Sequence, residues 1–342
     1  MSLGRSVGWT SAPRGDAFDP TIRLDHTQNP YGPCPAAVEA VELGPQSPPA
    51  SLAAAFRRRL SEVYRVPAGS IHLLGSVDAA IRGIAGHHAG PLVTFPPAAP
   101  ANLIADGFPG SDVVSIARGV ARDGVIGPEV ASDMPRNGLA VIDSPSNPLG
   151  SIVSPADAVR LSRACTAVVV DERFAEFSEF SLLPLALELD NVVVVRSFES
   201  WAALPEAYCA WAVAPPRLAH LFEPVQSALE PEVIAMALAT LRDRASVAAT
   251  LKLVREERSR LYRFLRRLSF LEPLPSWAPF IAARVAIVPR RDLTEGLADR
   301  GIRVHAPPDP GLEQYVRIGI GSRTSMDRLR TALLELGPEL VG

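Results

Sequence analysis

The chain has 342 residues, 47% of them hydrophobic and 21% charged, enough to bury a large core in one α/β unit with a smaller companion. A formal net charge of −3 offers no basic face to nucleic acid, and three scattered cysteines, Cys34, Cys165 and Cys209, are too few for a disulfide framework or a zinc knuckle. No window approaches 18 uninterrupted apolar residues and the first residues carry no apolar signal core, so the expectation is a cytoplasmic protein without membrane or nucleic-acid partners.

Residues 1–25 are rich in Gly, Pro and Ser, have no helical or strand period, and read as an arm laid over another surface. A large α/β unit is expected over 26–228, with a substrate loop at 26–35. Within it, residues 51–64 (SLAAAFRRRLSEVY) put Leu52, Phe56, Leu60 and Tyr64 on one helical face behind Ser51 as N-cap. The short apolar runs IHLL, PLVTF, LAVID, AVVVD and NVVVV follow, each bounded by Gly, Pro, Asp or Asn. Such runs suit parallel strands covered on both faces, which predicts a mostly parallel sheet over roughly 45–215. Helical periodicity over 229–268 predicts connecting helices. Residues 269–342 read strand, helix, strand, strand, helix, a small α+β domain in which Gly301 closes the first helix and Ser325 caps the last.

Five segments carry a family resemblance: NPYGP at 29–33, SPSNPLG at 144–150, VVVDERFAEF at 168–177, VVRSFES at 194–200 and YVRIGIG at 315–321. In order and spacing the chain, from about residue 22 to its end, resembles the fold-type I aminotransferases of class I/II. Its nearest likeness is to their histidinol-phosphate aminotransferase and threonine-phosphate decarboxylase branch. The resemblance implies an aspartate-aminotransferase-like large domain, a small domain that closes on substrate, and a homodimer with active sites at the subunit interface.

In that family a lysine after a strand holds pyridoxal phosphate as a Schiff base and shuttles protons. Its place falls on Ser200, and the one lysine of the chain, Lys252, lies in a charged helical stretch. By the same resemblance the phosphate-clamping arginine falls on Tyr208 and a serine donor on Glu199. A carboxylate about 5 Å from a phosphate charge opposes it by roughly 3 kcal/mol per charge pair at an effective dielectric of about 20. The ring-stacking aromatic falls on Ala98, and a tyrosine hydroxyl on Phe174. The resemblance thus implies a degenerate member with a vestigial cofactor site at Asp171, Ser76 and Phe174. Asp171 would face the pyridinium nitrogen, Asn147 the ring hydroxyl, and Ser76 would open a helix whose N-terminus binds an anion. Asp171, Asn147 and Ser76 keep an open reading as scaffold: strand-end cap, turn residue and N-cap.

Arg317 lies in an apolar strand, where the resemblance implies a fork that grips a substrate carboxylate, with Asn29, Tyr31 and Asn147 beside it. The competing reading is an internal salt bridge, since a buried guanidinium needs a partner. No metal motif, Gly-rich phosphate loop or GxSxG is present. Two classes of function stay open. One is a repurposed enzyme of bacterial specialised metabolism, working without cofactor or metal through Glu199, Ser200 and Tyr208 as acid/base groups on an amino-acid-derived carboxylate. The other is an inactive paralogue acting as a binding or regulatory partner, its cleft filled by Trp201, Trp211 or Phe174. A variant of the first holds pyridoxal phosphate or pyridoxamine phosphate non-covalently. The expectation carried forward is no cofactor, a small carboxylate substrate and a homodimer.

Overall fold

The computed structural model describes residues 21–109, 112–118, 134–204 and 208–341, so the expected arm lies outside it as far as residue 20. A short strand, β1 (Ile22–Leu24), precedes helices α1 (Pro35–Leu43) and α2 (Pro49–Tyr64). Helix α2 presents Leu52, Phe56 and Leu60 to the core as its spacing predicts. It begins two residues ahead of Ser51, because Pro49 at the first helical position loses no hydrogen bond and brings a preset φ.

The five apolar runs become β2 (Ile71–Leu74), β3 (Leu92–Thr94), β5 (Leu139–Asp143), β6 (Ala167–Asp171) and β7 (Val192–Ser197), with an unpredicted strand, β4 (Val113–Ser115), between them. With β8 (Ala210–Val213) they form a seven-stranded sheet in the order β2-β8-β7-β6-β5-β3-β4, parallel except at β8, which is antiparallel to both neighbours. The sequence reading did not anticipate β8: AWAV is four residues long, and its two alanines are weak strand formers.

Helices cover both faces. Between the strands run α3 (Val77–His87), α4 (Ala99–Gly107), α5 (Pro155–Ala164), α6 (Ala175–Ser178) and α7 (Leu185–Glu188). Val193 and Val195 of β7 pack in one apolar cluster with α3 and α4, whereas Val192 and Val194 pack in a second with α2 and α5. That alternation, buried on both sides, is why the strands read as unbroken Val and Ile.

Helices α8 (Pro231–Arg242) and α9 (Arg244–Leu265) lead to an antiparallel sheet of β9 (Leu271–Pro273), β10 (Phe280–Val285) and a later strand. Helix α10 (Arg290–Asp299) closes at Gly301, whose φ of +69° suits glycine, and β11 (Ile302–Val304) then pairs in parallel with β1. Strand β12 (Tyr315–Gly319) completes the sheet in the order β12-β10-β9. The last helix, α11 (Arg323–Val341), starts before Ser325; Ser322 takes the capping position, its Oγ accepting the Ser325 N–H at 3.3 Å. Among the described residues no helix is long and apolar enough to cross a membrane, and no cluster of metal-ligating side chains occurs.

Candidate functional site

Parallel strands of an open α/β sheet deliver their C-terminal ends to one edge, where ligands bind. Here Asp143 ends β5, Asp171 ends β6, and β7 runs out through Ser197 to Glu199 and Ser200. The register pairs Asp143 with Asp171 and Asp171 with Val195, so these ends lie side by side. Asp143 is held by the buried Arg118 guanidinium at 2.6 Å and by the Asn147 N–H at 2.7 Å; burial pushes its carboxyl up to about 6, against the pull of Arg118.

Asp171 is buried and wholly engaged by Arg173. The Arg173 Nε donates to its Oδ2 at 2.8 Å and Oδ1 at 3.1 Å, and the Arg173 backbone N–H donates to Oδ1 at 3.0 Å. The same guanidinium reaches Asp78 Oδ1, at 2.5 Å, in the first turn of α3, where Ser76 is the N-cap and accepts the Ala79 N–H at 3.2 Å. Burial works against the Arg173 charge, but Asp171 and Asp78 more than offset it and hold the group above its ordinary value. Glu199 belongs to this cluster as well. Its carboxyl is pushed up first by burial, opposed by Arg173 and reinforced by Asp78 and Asp171. Ser197 Oγ is buried without a hydrogen-bond partner. By strand alternation it faces the same side as Val195, the side of α3.

A second group gathers on β12. Arg317, 6% exposed, donates through one terminal nitrogen to Asn147 Oδ1 at 2.7 Å and through the other to the Asp25 carbonyl at 2.6 Å. Its guanidinium carbon stands 5.2 Å from the ring centre of Phe280, and Phe174 packs edge-on against that ring at 5.6 Å. Burial lowers its pKa to about 10, with Asp25 opposing. No carboxylate lies within ion-pairing distance among the described residues, and its Nε is buried with no acceptor. His305 exchanges backbone hydrogen bonds with Arg317 and is held below the usual imidazole value by burial and then by the Arg317 charge.

The other candidates sit elsewhere or serve the frame. Ser200 Oγ donates to the Thr27 carbonyl and the Ser200 carbonyl accepts the Asn29 N–H at 2.9 Å, which ties the 26–31 loop to the end of β7. The Asn29 side chain is fully used, donating to the Trp201 carbonyl and Thr250 Oγ1 and accepting the Tyr31 N–H. Tyr31 is half-buried beside acids and arginines of α9 and α11 rather than beside Arg317; burial and then Glu257 raise its hydroxyl pKa. Tyr208 is 66% exposed, and Lys252 is 72% exposed on α9 with Glu256 as its partner. The sequence reading overlooked Arg173, Asp78 and Ser197. The available signal was an arginine two residues past a strand-end aspartate, close enough to fold back onto it.

A mostly parallel sheet whose strand ends gather buried aspartates beside a helix N-terminus, with a buried arginine on a small antiparallel sheet, is the architecture of an aminotransferase-type α/β protein. The chain belongs to the class I and II aminotransferase family, whose model matches residues 128–333. It is 26% identical over 323 residues to the histidinol-phosphate aminotransferase of Dehalococcoides mccartyi, covering 92% of this chain and 90% of that one. The histidinol-phosphate aminotransferase of Clostridium acetobutylicum superposes with a TM-score of 0.82 at 16% identity, over 93% of this chain and 100% of the other. That of Sinorhizobium meliloti, solved in complex with pyridoxal-5'-phosphate, gives a TM-score of 0.80 at 21% identity, over 93% and 91%.

The family corrects the expectation that no cofactor is used: these relatives are histidinol-phosphate aminotransferases, and one is solved with pyridoxal-5'-phosphate bound. The donor set here fits that group in kind. Asp171 offers a carboxylate for a protonated ring nitrogen, and the orphaned Ser197 hydroxyl with the N-terminus of α3 offers donors for a phosphate. Asp78 and Glu199 add negative charge at the same end, and Arg173 stands on Asp171.

Proposed function

We propose that this protein is a histidinol-phosphate aminotransferase-like enzyme that binds an amino-acid-derived carboxylate at Arg317 and takes pyridoxal phosphate without a covalent lysine link, as a homodimer. The observation that carries the reading is the state of Arg317. A buried guanidinium with no carboxylate partner and an orphaned Nε is costly to maintain, and an anionic ligand arriving along the Nε edge relieves that cost. Phe280, backed by Phe174, lies beside the guanidinium, and Asn147 and the Asp25 carbonyl hold its two terminal nitrogens, so the orientation is set before ligand arrives. Of the three aromatic side chains considered as fillers, Trp201 and Trp211 lie in the core beside Phe198 and Tyr64, while Phe174 packs against the Phe280 ring under Arg317.

When bound, pyridoxal phosphate supplies an electron sink for the substrate's α-carbon. Asp171 would hold its ring nitrogen; Ser197 and Ser76 would meet its phosphate. The sole lysine is exposed on α9, so proton movement in the cleft falls to other groups. Glu199 fits that work, because burial makes it hold a proton at a higher pH than an ordinary carboxylate. Ser200 supports the reaction by pinning the 26–31 loop rather than by attacking substrate.

Calorimetry with O-phospho-L-threonine and L-histidine, beside their decarboxylated amines, tests the carboxylate assignment. Arg317→Ala should weaken the amino acids at least tenfold and leave the amines unchanged. Equal binding of the amino acids by the variant and the parent would sink the assignment.

A further inference from the structure

A planar cation already stands on the carboxylate that a pyridinium ring would use. Arg173 sets its Nε against both oxygens of Asp171, brings a terminal nitrogen to Oδ2 at 2.7 Å, and adds its own backbone N–H to Oδ1. From the same guanidinium a second contact runs to Asp78 in the first turn of α3, the end at which an anion would be received. Its contacts therefore span the two poles of a zwitterionic heterocycle's site: the acceptor for a ring N–H, and the helix end for a phosphate. The contact to Asp171 is buried, with the Arg173 side chain only 19% exposed, whereas Asp78 is 53% exposed and holds Arg173 from the solvent side.

We infer that Arg173 is an internal competitor for the cofactor site, so that pyridoxal phosphate binds Asp171 only as Arg173 leaves it. The inference rests on the reading that this cleft takes pyridoxal phosphate, and it adds the residue that sets the affinity. The physical basis is occupancy. The Arg173 guanidinium lies across both oxygens of Asp171 and the Arg173 backbone N–H takes Oδ1, so a charged ring N–H reaches that carboxylate only by displacing the guanidinium. A ligand that must first displace an internal partner binds more weakly by the fraction of time that partner is away. The neighbouring charges act in the same direction. Asp78 and Glu199 favour the cation that is present and disfavour an incoming phosphate, so the acids around Arg173 keep it in place.

The test is a calorimetric titration of the full chain with pyridoxal phosphate and, separately, with pyridoxal, followed by absorbance of the bound chromophore. Arg173→Ala should bind pyridoxal phosphate at least tenfold more tightly than the parent chain, and adding Asp171→Asn should abolish that gain. Because Arg173→Ala leaves Asp171 without its partner and could unfold the strand end, Asp78→Asn serves as the second variant. It loosens Arg173 while leaving the Asp171 pair intact, and it should tighten pyridoxal, which has no phosphate, as well as pyridoxal phosphate. A parent affinity equal to or greater than that of Arg173→Ala would overturn the competitor role alone. Tightening by Asp78→Asn confined to the phosphorylated ligand would do the same, since that is relief of charge repulsion. Absence of binding by every folded variant would overturn the cofactor reading and the competitor role together.

Discussion

Glu199 shows how a single side chain can record its surroundings in a titration. Its ordinary value is 4.5, and in the fold burial lifts it, so the neutral form is the one the folded state prefers. Stability linked to that preference is complete below about pH 4 and is lost as pH rises through the higher folded value. Glu199→Gln keeps the shape and discards the charge. Its melting temperature should match the parent's near pH 4 and exceed it by a few degrees at about pH 8; a difference that does not change with pH would rule the account out. Asp171 and Arg317 stood out in the sequence because a charge at the end of, or within, an apolar strand is an anomaly that demands a partner. The partner itself was not legible. Arg173 is a common residue in a loop, and nothing in DER says whether its guanidinium turns outward or back across Asp171. The same limit applies to Asn29 and Ser200, whose motif positions suggested ligand contact and whose hydrogen bonds instead hold the loop to the strand.

Strand β7 illustrates stability at the level of an element. Arg196 within it pairs with Glu172 at 2.7 Å and Glu176 at 3.0 Å, lies over the Tyr64 and Trp211 rings, and leaves Tyr64 to donate to Glu176 at 3.0 Å. Removing the one cation strands the buried Glu172 and the partly buried Glu176. Arg196→Met should therefore cost about 3–5 kcal/mol in a urea melt, whereas Tyr64→Phe, which deletes a single hydroxyl, should cost only about 1 kcal/mol. Comparable losses from the two variants would show that the arginine is not the hub. Most of the elements around this network could be read in advance. Five strands stand where unbroken Val and Ile runs predicted them, and α2 follows its apolar stripe. What escaped were the three-residue edge strand β4 and β8, whose identity comes from sitting between two strands of the opposite direction rather than from its own four residues.

Across the whole molecule, the seven-stranded and three-stranded sheets share one apolar core and are joined by specific polar and aromatic contacts. Arg317 on β12 reaches Asn147 beyond β5, Asn102 of α4 donates to Asp309 at 2.8 Å, and Phe280 on β10 rests against Phe174 beyond β6. Phe280→Ala should cost about 3–5 kcal/mol and also weaken carboxylate binding, because it removes both a core ring and the floor under Arg317. Retained affinity in a destabilised variant would separate those two roles. The mostly parallel architecture was legible from strand and helix alternation, but the pairing of β1 with β11 was not, since it joins segments that share no local signal. That pairing has a temporal consequence. Asp25, whose carbonyl receives Arg317, directly follows β1, so the arginine's seat is complete only when Ile22 has found Ile302. During synthesis the seven-stranded sheet can assemble as soon as β8 has been made, while the opening segment of the chain waits for nearly everything after it to emerge. On the proposed role of Arg317, a nascent chain halted before β11 would hold a finished sheet without the seat for a carboxylate.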